Sequence, residues 1–87
     1  MNKAVVTQID QNFLSAIQGI VWGRQNFSLE VIHLGGNEIT IRNPTTFPVL
    51  TDLVVEDLKK RITEKYSGTE FTFILENDHE LKVTLKN

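Results

Sequence analysis

Cysteine is absent from this sequence, which excludes a disulfide framework and thiolate chemistry and fits a reducing, cytoplasmic setting. A basic excess is also missing: 9 lysines and arginines stand against 11 acidic residues, with an isoelectric point near 5.6. Domains that live on nucleic acid usually carry the opposite balance. A single Trp and a single Tyr offer no stacking platform of the kind single-strand binders use. No apolar run approaches the ~18 residues of a membrane span, and the opening "MNKAVVTQID" has no apolar core of a signal peptide. Neither a membrane association nor an export signal is expected. Proline occurs only at Pro44 and Pro48, so the ladder-breaking residues are confined to one segment.

What remains is an ordinary globular composition on a short chain. With 87 residues, 40% of them hydrophobic and 23% charged, the chain is expected to fold as one domain spanning residues 1–87. A chain of this size buries too little surface to enclose a deep substrate cavity.

The apolar residues Ile9, Phe13, Ala16, Ile17 and Ile20, with Val5 one turn earlier, recur at helical spacing and predict an amphipathic first helix. Thr7 is its expected cap, with Asp10 three residues on. A start near Asn2 is the alternative, and "KAVVT" reads equally as a short strand. Trp22, Gly23 and Arg24 close the helix, glycine supplying a left-handed position and arginine suiting the dipole. Phe27, Leu29 and Val31 then alternate with polar residues, and after Gly35, Gly36 and Asn37 the alternation resumes at Ile39 and Ile41. That pattern predicts a hairpin with a three-residue loop, which puts Val31 on the side of Ile41, whereas a two-residue turn would instead put Ile32 and Leu34 with Ile39 and Ile41.

"NPTTFPVLT", residues 43–51, is a linker or an edge strand. Thr51 or Asp52 opens a second helix with the stripe Val54, Val55, Leu58, Ile62 and Tyr66, stopped by Ser67 and Gly68. Its acids precede its bases, so Glu56 with Lys60 and Asp57 with Arg61 are expected to pair. Phe71, Phe73 and Leu75 share a side with Leu81, Val83 and Leu85 in a final hairpin, with an odd loop such as Glu76 to Asp78.

The chain therefore reads helix, hairpin, helix, hairpin, and "FSLEVIHLGGNEITIRN" (27–43) is echoed by "FTFILENDHELKVTLKN" (71–87). A shift of 45 overlays the helices and one of 44 overlays Phe27 and Leu29 on Phe71 and Phe73. The half-units are about 3–43 and 51–87, joined by the linker 43–51. The expected fold is a two-layer α+β sandwich, a four-stranded mainly antiparallel sheet with both helices on one face, in the order α-β-β-α-β-β. The echo is too loose to establish duplication, because alternating strands resemble one another in any case.

The face turned away from the helices would carry Ser28, Glu30, Ile32, Thr40, Arg42, Thr72, Ile74, Lys82 and Thr84. Ile32 and Ile74, with Leu34 at the rim, are expected to form an apolar patch there. Trp22 points opposite Phe13 on a continued helix, and with Arg24 it belongs to the residue types that dominate binding hot spots. Phe47 lies between the prolines, outside the regular stripes. The candidate protein-interaction residues are thus Trp22, Arg24, Ile32, Leu34, Phe47 and Ile74.

His33 and His79 flank the two hairpin turns, yet no cysteine or spaced His/Glu cluster joins them, so no metal or other cofactor is expected. "LGGNE" lacks the spacing and lysine of a phosphate loop, and no nucleophile and base show a local signature. The sequence predicts no enzyme. It points to a small cytoplasmic module that binds another protein through a sheet face or edge, self-association into a homodimer included. The alternative is nucleic-acid contact through Lys59, Lys60, Arg61 and Lys65, against which the overall charge argues.

Overall fold

A computed structural model describes Val6 and residues 8–23, 29–43 and 50–86. The elements are α1 (Gln11–Trp22), β1 (Glu30–Gly35), β2 (Glu38–Arg42), α2 (Asp52–Lys65), β3 (Glu70–Asn77) and β4 (Glu80–Lys86). All strand pairs are antiparallel and the sheet order is β1-β2-β4-β3. The order α-β-β-α-β-β and the α+β class are as the periodicities predict.

The helix ends follow local chemistry. Asp10, not Thr7, caps α1: its carboxylate accepts from the Phe13 N–H at 2.9 Å. Thr7, Val5 and most of "KAVVT" lie outside the described residues. Gly23 ends α1 but keeps a right-handed φ of −62°, so its left-handed freedom is not what the position uses. A Cβ there would approach the Gly19 carbonyl oxygen at 3.0 Å. Thr51 caps α2, its hydroxyl facing the Val54 N–H at 3.4 Å. Arg61 meets Asp57 at 3.1 Å as expected, whereas Glu56 pairs with Lys59 at 3.3 Å and not with Lys60.

Both hairpins keep the expected facing and shorten the expected loops. Val31 pairs with Ile41 and His33 with Ile39, then a bulge lets Gly35 pair with Glu38, leaving Gly36 and Asn37 as the turn. Gly35 and Gly36 have φ of 111° and 55°, a conformation that disfavours residues with a Cβ. In the second hairpin Leu75 pairs with Leu81 and, past a bulge, Asn77 with Glu80. The turn is Asp78–His79 rather than Glu76 to Asp78, because the Asn77 side chain accepts from the His79 N–H at 2.8 Å and donates to Glu80 at 2.8 Å. A bulge followed by a two-residue turn closes both hairpins, and it overlays them at a shift of 42 rather than 44.

The core forms where α1 and α2 cover one face of the sheet. Phe13, Ile17 and Val21 of α1 and Leu58 and Ile62 of α2 are buried against Ile39 and Ile41 of β2 and Leu81 and Val83 of β4. Leu75 shares their side but is 40% exposed, because β3 is an edge strand that extends past the helical cover. Phe13 stands between Tyr66 and Phe71, with ring centroids 5.3 and 6.1 Å away.

Tyr66 links this packing to pH. Burial, and secondarily the negative charge of Asp10, push its phenol above the ordinary value of 10.0. The unfolded chain then releases the proton at lower pH than the folded one, so stability should fall as pH rises from about 10 toward the folded value. The Tyr66→Phe variant should lose less stability than wild type between about pH 9 and about pH 11, read from urea midpoints. Coincident pH dependences would refute the assignment.

Candidate protein-interaction site

Strand order decides what the sheet leaves open. Among the described residues β1 and β3 are the edges, and alternate residues of an edge strand turn their backbone N–H and C=O away from the sheet. The Val31 N–H faces outward, since it donates to the Gln18 side-chain oxygen at 3.2 Å. Residues two apart share a direction, so Leu29, Val31 and His33 present their backbone to the open side, while Glu30 and Ile32 bond to Arg42 and Thr40 across the ladder.

Among the described residues, helix α1 closes one end of that edge. Gln11, Leu14, Gln18 and Trp22 follow one another at three- or four-residue spacing, on a face rotated away from the core stripe. Gln18 acts as a short substitute strand: its oxygen accepts from Val31, and its nitrogen donates to the Leu29 carbonyl at 3.4 Å. The Trp22 indole N–H donates to the same carbonyl at 3.2 Å. Beyond this clamp, the Val31 carbonyl and both backbone groups of His33 meet no hydrogen-bond partner among the described residues.

An open groove of about 560 Å³ runs beside the clamp, lined by Leu14, Ser15, Gln18, Gly19, Trp22 and Val31 among others. Trp22 remains 48% exposed there, so one indole both ties down the strand and offers apolar area to solvent. Leu14 and Val31 are partly buried against the core and give the groove an apolar floor.

The outer sheet face is different in character. Ile32, Thr40, Lys82 and Ile74 form one cross-strand row. Ile32 and Ile74 therefore end up on opposite edges, three strand spacings or about 14 Å apart. The single apolar patch expected around them is divided. Thr40 between them is only 7% exposed, with Arg42 bound to Glu30 at 3.0 Å and Lys82 bound to Glu76 at 3.2 Å on the same face. Ile74 keeps 45% exposure. Arg24, Phe47 and the side chain of Leu34 lie outside the described residues.

At the β3 edge the parity is fixed by the Leu85 N–H, which donates to Asn37 at 2.8 Å. Phe71, Phe73 and Leu75 consequently turn their backbone outward. Three of the four basic residues of α2 have partners within the chain. Lys59 binds Glu56 and sits 5.9 Å above Phe73, Arg61 binds Asp57, and Lys65 sits 5.8 Å above Tyr66. Lys60 is exposed.

The two histidines are not structural equivalents. His33 belongs to the edge strand beside the first turn, with Nε2 at 3.1 Å from the Gly36 carbonyl oxygen. His79 belongs to the second turn, at the other end of the sheet, where its carbonyl accepts from Asn43 at 2.8 Å. Among the described residues the Nδ1 of His79 and the Nε of Arg42 are buried without a hydrogen-bond partner. Among the described residues no group of three or more His, Asp and Glu side chains is placed to hold a metal ion, and no helix is long and apolar enough to cross a membrane.

Gln18 is the residue that sequence reasoning passes over. A polar side chain leaves no trace in a hydrophobic period, and the available signal was its place midway between Leu14 and Trp22 on one helical face. Comparison with protein-family models, curated proteins and solved structures yields no match.

Proposed function

We propose that this chain is a non-catalytic protein-binding module that receives an extended segment of a partner as an added strand along β1. The observation that carries the reading is the outward backbone of His33, unpartnered among the described residues, beside a groove holding half-exposed Trp22. Main-chain hydrogen bonds to an edge strand supply affinity in this mode, and a pocket for alternate side chains supplies selectivity. A segment lying along β1 would send alternate residues toward Leu14, Val31 and Trp22 on one side and toward Ile32 on the other. Indole is among the side chains that most often dominate binding energy when a partner covers them.

Selection from a displayed library of random peptides tests the reading without knowledge of the natural partner. Enriched peptides should share apolar residues at alternate positions, shift the Trp22 fluorescence and slow hydrogen exchange at the His33 amide. Peptides that bind while leaving both signals unchanged would place recognition elsewhere and end this reading.

A further inference from the structure

We infer that one occupant of β1 is the β1 strand of a second copy of this chain, laid antiparallel about a two-fold axis at His33. The inference rests on the strand-addition reading above and names the partner it would take.

The hydrogen-bonding inventory of the edge favours this register. A two-fold axis through a residue pair needs one residue whose N–H and C=O are both outward and both available, so that each copy donates to and accepts from the other. Val31 does not qualify, because its N–H is held by Gln18. The Leu29 carbonyl is held twice, by Gln18 and Trp22. His33 qualifies, since among the described residues neither of its backbone groups is taken.

Charge is compatible with the same arrangement. Centred on His33, Ile32 comes opposite Leu34 and Val31 opposite Gly35, so no like charges face each other along the paired segment. Glu30 falls outside it and is already neutralised by Arg42 at 3.0 Å. In the His33 register the partner's Gly35 and Gly36 come level with Val31 and Glu30, where Gln18 holds the Val31 N–H at 3.2 Å, so the Gln18 side chain must swing aside to admit a turn that brings no side chain at either glycine. The product is a continuous eight-stranded sheet closed by symmetry, which does not propagate into a filament. The paired window is short, so the association should be weak.

Sedimentation velocity from micromolar to millimolar concentration tests this on wild type and on His33→Asp and His33→Lys. The site is exposed, so both variants should fold, with circular dichroism as the check. Wild type should dimerise reversibly. Each variant alone should self-associate roughly ten-fold more weakly, since two like charges then meet across the axis. An equimolar mixture should recover the dimer, because Asp then faces Lys.

A wild type that stays monomeric throughout would overturn the inference. So would variants that dimerise like wild type, or a mixture that fails to recover. These failures are separable from failure of strand addition: selected peptides that still protect the His33 amide in a monomeric protein would leave the proposed function standing and remove only the second copy as occupant.

Discussion

The Ile17→Ala variant should lose about 3 kcal/mol of stability, within the range of roughly 2 to 5 kcal/mol measured when buried isoleucine or leucine is cut to alanine. Ile17 has no exposed surface and lies in the cluster that α1 shares with Leu58, Ile62 and the central strands. Truncation removes three carbons from a site walled by both helices and the sheet, where collapse around the cavity is limited. For a chain of 87 residues the whole folding free energy is expected to be about 4 to 13 kcal/mol, so this one change takes a large share. Urea unfolding should place its midpoint lower by about 3 M, given a slope near 1 kcal/mol per M for a small domain. A loss below about 1 kcal/mol would mean that Ile17 is not enclosed on all sides as described.

Proline substitution at neighbouring residues of β1 should produce opposite phenotypes. Ile32 pairs with Thr40 and directs its N–H into the ladder, so Ile32→Pro deletes a sheet hydrogen bond, strands the acceptor opposite it and should cost about 2 to 3 kcal/mol. His33 directs its N–H outward, and proline is tolerated on an edge strand where the missing donor faces solvent. His33→Pro should therefore change stability by no more than about 1 kcal/mol, yet abolish strand addition by removing the donor and crowding the open side. Equal destabilisation by both substitutions would contradict the alternation deduced from the bond between Val31 and Gln18.

The sequence carries the fold at the level where period alone decides. The stripe of Phe13, Ile17, Leu58 and Ile62 forces helical faces toward a core, and the alternation of Phe71, Phe73, Leu81 and Val83 forces strands. The facing of Val31 with Ile41 and of Leu75 with Leu81 follows from the same parity. Strand order does not follow, because β2 and β4 carry the same alternation as their neighbours and nothing local says that they pair. That missing fact separated Ile32 from Ile74, left Leu75 half-exposed and turned His33 into an edge residue. The shorter turns hinge on single side chains, Asn77 above all, whose bond to the His79 N–H competes with a longer loop.

The candidate site was legible in part for the same reason. Trp22 stands out from the core stripe in the sequence, and the helix does run through it. Its bond to Leu29 and the part played by Gln18 depend on a strand brought alongside α1 only in the folded chain. Apolar patterning records which residues avoid water, and it is silent about a carboxamide that stands in for a neighbouring strand.

Amide hydrogen exchange along β1, resolved residue by residue, tests the central claim most directly. With an edge half closed by Gln18 and open at His33, the Ile32 amide should be protected, the Val31 amide less so, and the His33 amide should exchange fastest of the three in dilute monomeric protein, slowing when a peptide or second copy is bound. A His33 amide as protected as that of Ile32 in the dilute free protein would mean that this edge is already occupied within the chain, and the account of β1 as a docking strand would be wrong.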